Sequence, residues 1–116
     1  MLATERLIEI EELFSDQVAR IVVTELDGET LRLILHLNDG SNLRVAEQWS
    51  GTVRKRYSYY WLTAENQLRI GWDNAPHHSQ LANFPHHKHV PGSNQPEPAL
   101  ETSLEAVMTV ILAADH

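Results

Sequence analysis

The chain has 116 residues, a net charge of −7 at neutral pH, 42% hydrophobic residues and 22% charged ones, the balance of one ordinary globular domain with a single core. It has no cysteine, which excludes disulfide scaffolds, thiolate nucleophiles and thiolate metal sites. Its longest nearly apolar run, Ala106 to Ala114, is about half of what a membrane-spanning helix needs, and Met1 to Arg6 lacks the pattern of a secretory signal, so a cytoplasmic protein is expected.

Thr4 to Phe14 reads as a helix. Thr4 is placed to cap it, Leu7, Ile10, Leu13 and Phe14 make an apolar stripe, and Glu5, Glu9, Glu11 and Glu12 face water. From Val18 the periodicity changes to two, and Asp27-Gly28 closes the first strand as a hairpin turn. Leu31, Leu33, Leu35 and Leu37 then share one face, with Arg32, Ile34 and His36 on the other. Asp39-Gly40 turns into a strand of Leu43, Val45, Glu47 and Trp49. Ser50-Gly51-Thr52 turns into a long strand from Val53 to Leu62, and Glu65-Asn66-Gln67 precedes Leu68 to Trp72. Alternation leaves two assignments for the long strand. Either Arg54, Arg56, Ser58 and Tyr60 lie on the open face, or Lys55, Tyr57, Tyr59 and Trp61 do. Trp49, Trp61 and Trp72 read as packing residues.

Residues 73–99 lose any period and hold all five prolines together with Gly92, so they read as one long loop with a short extended piece between Phe84 and Val90. A loop of that length inside a small domain points to function. Thr102-Ser103-Leu104-Glu105 matches a capping box, and Leu104, Val107, Met108, Ile111 and Leu112 form the stripe of a second helix. The expected architecture is α+β: a five-stranded antiparallel meander with the N-terminal and C-terminal helices packed on one face. It forms a single domain over 1–116, with helix and sheet in 1–72, the histidine-rich loop in 73–99 and the last helix in 100–116.

Five of the seven histidines, His77, His78, His86, His87 and His89, fall within that loop; His36 and His116 read as ordinary. Histidine titrates near neutrality and is the commonest metal ligand. The segment from Val53 to Val90 carries +3, leaving −10 for the rest. A local basic patch on an acidic body is what a phosphate site looks like, although Arg54-Lys55-Arg56 also suits a solvated strand edge.

Three readings of the cluster stay open. In the first, a pair of histidines acts as base and acid in metal-independent RNA cleavage, with Lys88 stabilising charge. The candidates are His77, His78, His86, His87 and His89, with no cofactor. Arg54, Arg56, Tyr57, Tyr59, Asp73 and Asn74 would contact substrate. In the second, His78, His86, His89 and Asp73 hold a divalent metal (zinc, manganese or iron) for hydrolysis. In the third, the histidines merely tie the loop to the sheet.

Tyr57-Ser58-Tyr59-Tyr60-Trp61, then Asp73-Asn74-Ala75-Pro76-His77-His78, then Phe84-Pro85-His86-His87-Lys88-His89 form an ordered signature that resembles the TumE-like family of small prokaryotic proteins. The resemblance covers nearly the whole chain, with Ser79 standing where the family pattern has a proline. It implies the toxin half of a toxin–antitoxin pair, neutralised by an antitoxin of helix-turn-helix type. It points to Asp73, Asn74, His77, His78, His86, His87, Lys88 and His89, together with Tyr57 and Tyr59. The partners expected are that antitoxin, RNA and a second copy of the chain, with no membrane. A non-enzymatic module that titrates its target is the alternative to an enzyme.

Overall fold

Alternating apolar and polar residues, punctuated by tight turns, make a sheet in which sequence neighbours become spatial neighbours. The computed structural model describes residues 1–76 and 84–114. After α1 (Ala3–Phe14), the strands β1 (Val18–Asp27), β2 (Thr30–Leu37), β3 (Asn42–Ser50), β4 (Val53–Leu62) and β5 (Leu68–Asp73) follow in an antiparallel meander, and α2 (Leu104–Ala114) ends the chain. Asn66, the one non-glycine residue described with positive φ, turns β4 into β5, a conformation that asparagine tolerates better than most residues.

The sheet has seven strands rather than the expected five. Two short ones, β6 (His87–His89) and β7 (Glu97–Pro98), extend it in sequence order beyond β5. Strands of three and two residues are too short to display a period, and Pro98 disguises the second, so the sequence reads there as loop. Their effect is to cover the edge of β5, which would otherwise expose unpaired backbone groups.

One face of the sheet is the core. Leu31, Leu33 and Leu35 of β2, Leu43 and Val45 of β3, Tyr57, Tyr59 and Trp61 of β4 and Trp72 of β5 are buried there, against Ile10 and Phe14 of α1 and Leu104, Val107, Met108 and Ile111 of α2. The register aligns Leu33, Val45, Tyr59 and Trp72 in one cross-strand row. Each fully buried leucine contributes about 1.5–3 kcal/mol by leaving water.

The helix ends differ from expectation by a turn or less. Thr4 lies inside α1, and the Glu5 carboxylate accepts the Leu2 N–H at 2.9 Å. In α2 the cap is Ser103 instead of Thr102, its hydroxyl accepting the Ala106 N–H at 3.1 Å. The buried stripe of α1 is Ala3, Arg6, Ile10 and Phe14, while Leu13 is exposed. Arg6 displaces an apolar residue from that stripe because it has partners waiting. Its Nε donates to Glu47 Oε1 at 2.7 Å, and its Nη2 reaches Glu47 Oε2 at 3.1 Å and Glu105 Oε1 at 3.0 Å. A bidentate pair of this kind fixes geometry as well as charge. It ties α1, β3 and α2 together beneath the sheet.

Candidate functional site

Side chains alternate across each strand, so the burial of Leu31, Val45, Tyr59 and Trp72 places their neighbours on the opposite face. The register there runs Arg32, Ala46, Ser58, Asp73, His87 in one row and Ile34, Arg44, Tyr60, Gly71, His89 in the next. Of the two assignments left open for β4, Ser58 and Tyr60 therefore face outward. Arg54 departs from that set. Gln48 pairs with Arg56 but Trp49 pairs with Arg54, leaving Lys55 as an extra residue in a bulge. A bulge shifts alternation by one, which re-aims the side chains beyond it. The Arg54 guanidinium consequently lies on the helix side, 4.7 Å from the Tyr57 ring centroid.

At the β5–β6 end of the open face, Asp73 gathers four partners. Its Oδ1 lies 2.8 Å from His87 Nε2 and accepts the Ala75 N–H at 2.9 Å. Its Oδ2 accepts the Tyr60 hydroxyl at 3.0 Å and lies 3.2 Å from His89 Nε2. His87 and His89 pack edge to face, their centroids 5.0 Å apart.

Two local features hold this arrangement. Tyr60 lies across Gly71, its register partner, so closely that a Cβ on Gly71 would stand 2.0 Å from two ring carbons. The missing side chain thus lets the ring lie down with its hydroxyl on Asp73. Burial, then the charge of Asp73, pushes the Tyr60 phenol up to about 12, so it stays a donor at neutral pH. On the other side, the buried His87 places Nδ1 3.0 Å from the Pro85 carbonyl oxygen. A carbonyl only accepts, so Nδ1 carries a hydrogen. His87 is held from both nitrogens, whereas His89 has a side chain 37% exposed.

His86 belongs to the other side of the sheet. Its Nδ1 lies 2.9 Å from the Tyr57 hydroxyl, and its ring stacks on Tyr57 with centroids 5.8 Å apart. Burial pushes the Tyr57 phenol up to about 12, so it keeps its proton at neutral pH. Burial, then the charges of Arg54 and His87, holds the His86 imidazole below its usual value. Lys88, paired in register with Trp72 and Glu97, alternates to that side as well.

The remaining candidate residues divide between scaffold and face. Tyr59 is fully buried, with its hydroxyl 2.6 Å from Glu47 Oε2. Asn74 staples the end of β5 to β4, its Oδ1 accepting the Tyr57 N–H at 2.8 Å and its Nδ2 donating to the Lys55 carbonyl at 3.0 Å. Arg56 is exposed on the open face. His77, His78 and His116 lie outside the described residues. The structure therefore brings together Asp73, His87 and His89, and sets His86 and Lys88 apart from them. Of the metal set expected from sequence, Asp73 and His89 meet, with His87 beside them where His86 was expected. The potential ligand atoms of Asp73, His87 and His89 all lie within 4.8 Å of one another.

From Asp73 a trough of about 500 Å³ extends over the open face. Ala46 and Ser58 are small and leave it hollow, while Tyr60, Gln48, Arg32 and Arg56 line it. Arg20, Arg32, Arg44 and Arg56 are all exposed, and the register assigns every one of them to this face. The acids on it are Asp73, Asp27 at the end of β1, and Glu25, whose carboxylate takes the Arg32 Nε–H at 3.1 Å. Counting charge along Val53–Val90 misses three of these four arginines. The signal that finds them is parity: Arg20, Arg32 and Arg44 each sit one residue from an inward leucine, isoleucine or valine, and Arg56 sits one residue from the inward Tyr57.

A family model described as toxin TumE matches residues 4–114, nearly the whole chain, and the chain belongs to the TumE family. Membership of a toxin family gives it a toxin's role and implies an antitoxin partner. No curated protein and no solved structure matches it. Among the described residues, no helix is long and apolar enough to cross a membrane.

Proposed function

We propose that this TumE-family toxin is an endoribonuclease that cleaves without metal, and that the Asp73–His89 pair is its reaction centre. The observation that carries the reading is a partly exposed imidazole oriented by Asp73, a carboxylate that lines a trough on a face bearing four arginines. With Nε2–H directed at Asp73, the Nδ1 lone pair of His89 takes the proton of a ribose 2′-hydroxyl. The freed oxygen attacks the adjacent phosphorus, and the 5′-oxygen departs with a proton, leaving a 2′,3′-cyclic phosphate. Asp73 holds the tautomer and stabilises the imidazolium that forms. Tyr60, His87 and the Ala75 N–H act as positioning groups by holding Asp73. The proton for the departing oxygen is assigned to His77 or His78, which follow Pro76 in the chain. Arginines of the open face stabilise the phosphorane charge.

The test is cleavage of an RNA oligonucleotide in excess chelator, beside the same oligonucleotide with 2′-deoxyribose throughout. The expected result is cyclic-phosphate product from the first and none from the second, with His89→Ala slowing the reaction by about 10²–10⁴-fold. Cleavage of both substrates, or cleavage only on adding zinc or manganese, contradicts it.

One observation favours a second reading. The potential ligand atoms of Asp73, His87 and His89 lie within 4.8 Å of one another, and the Pro85 carbonyl on His87 Nδ1 is the kind of outer partner that orients a metal-binding histidine. Asp73, His87 and His89 would then hold a divalent cation with open positions for water and phosphate oxygen. Metal-dependent cleavage in the same assay, lost in His87→Ala, selects this reading.

A further inference from the structure

The open face also specifies what form of nucleic acid the centre takes. We infer that the trough is a binding track for unpaired RNA, with Tyr60 as the platform for one base and Arg44 and Arg56 as contacts for flanking phosphates. This rests on the RNA-directed reading above and names its substrate class.

The argument begins with Tyr60. One side of its ring lies on Gly71, and the residue lines the trough. Tyr57, the other tyrosine of the lining, belongs to the buried core. A ring backed by the sheet and fixed through its hydroxyl on Asp73 loses little freedom when a base stacks on it. Stacking needs a base free of its duplex neighbours.

The reacting groups impose the same condition. Asp73 is 7% exposed, and the partly exposed His89 stands beside it on the open face. A duplex is too stiff to bring one linkage down to them, whereas a single strand can splay its ribose and phosphate into a shallow trough. The positive groups are spaced for such a strand. Arg44 sits directly across from Tyr60, and Arg56 lies on the same strand as Ser58 and Tyr60, opposite Gln48. Strand separation puts Arg44 roughly 5 Å from Tyr60, and four residues of extended strand put Arg56 roughly 13 Å from it. Elsewhere the molecule is acidic, so a polyanion has one face to approach.

An acidic protein segment is the other polyanion that could lie here, but Tyr60 and its hollow give such a segment nothing to recognise. The experiment uses a probe that no residue can cleave: a single-stranded 2′-O-methyl oligoribonucleotide of about a dozen nucleotides. Its affinity for the full chain is compared with that of the same sequence in a duplex, and poly-glutamate is added as competitor. The expected result is binding at least about tenfold tighter to the single strand, with little competition by poly-glutamate. Tyr60→Ala should weaken binding by about 5–150-fold, while Tyr60→Phe, which keeps the ring, should bind nearly as the native chain does. Arg44→Gln and Arg56→Gln should each reduce the slope of log K against log salt by about 0.7. Equal affinity for duplex, an unchanged slope in both arginine variants, or displacement by poly-glutamate at equal charge overturns the track. The uncleavable probe keeps the two proposals separate. Tight binding without any cleavage of natural RNA removes the reaction centre and leaves the track, and cleavage of duplex removes the track alone.

Discussion

Glu47 shows how one residue can be polar, buried and still not a site. Burial opposes its charge, but the Arg6 guanidinium, the Tyr59 hydroxyl and the Trp49 indole hold its carboxyl below the ordinary carboxylate range. Every acceptor position is used by a partner from α1, β3 or β4, which leaves nothing to offer a ligand. Asp73 is as fully bonded, but one of its partners reaches solvent. Glu47→Gln takes from Arg6 its one fully buried charge partner and leaves it the more exposed Glu9 and Glu105, and the expected cost is up to about 3–5 kcal/mol, read as a lower urea midpoint with an unchanged m-value. A loss under about 1 kcal/mol would show the network to be ornamental.

At the scale of elements, strand β6 does the sorting. Three residues of extended chain send His87 and His89 to the open face and Lys88 to the helix side, while His86, just before it, rests on Tyr57. A run of adjacent histidines thus becomes two chemically distinct environments. His86 has its folded-state pKa below 6.5, so the unfolded chain takes up its proton first as pH falls. Stability present above about pH 6.5 is therefore lost below it. The urea midpoint should fall more steeply between about pH 7 and pH 5.5 in the native chain than in His86→Gln, and superimposable profiles would refute this. The five long strands, their turns and both helices were legible in the sequence because each is long enough to repeat its period. β6 and β7 are not. The turn of Arg54 onto the helix side was hidden too, since the bulge at Lys55 exists only in the pairing of β3 with β4. The Arg6 network joins residues 41 and 99 positions apart, which no local pattern displays.

At the scale of the whole molecule, two faces of one sheet divide the work. The helix side carries the core, the ionic network and most of the aromatic mass. The open side carries four arginines, a trough and the Asp73 cluster, on a chain whose net charge is −7. The sequence disclosed the ingredients of this face, but not its assembly, because Arg20, Arg32, Arg44 and Arg56 come from four different strands. Which of the two faces acts is the central claim. The measurement that tests it most directly is the single-turnover rate of RNA cleavage in chelator for two variants, His89→Ala on the open face and His86→Ala on the helix side. The account predicts a loss of about 10²–10⁴-fold for the first and a rate close to native for the second. Abolition of cleavage by His86→Ala, with His89→Ala left active, would contradict it.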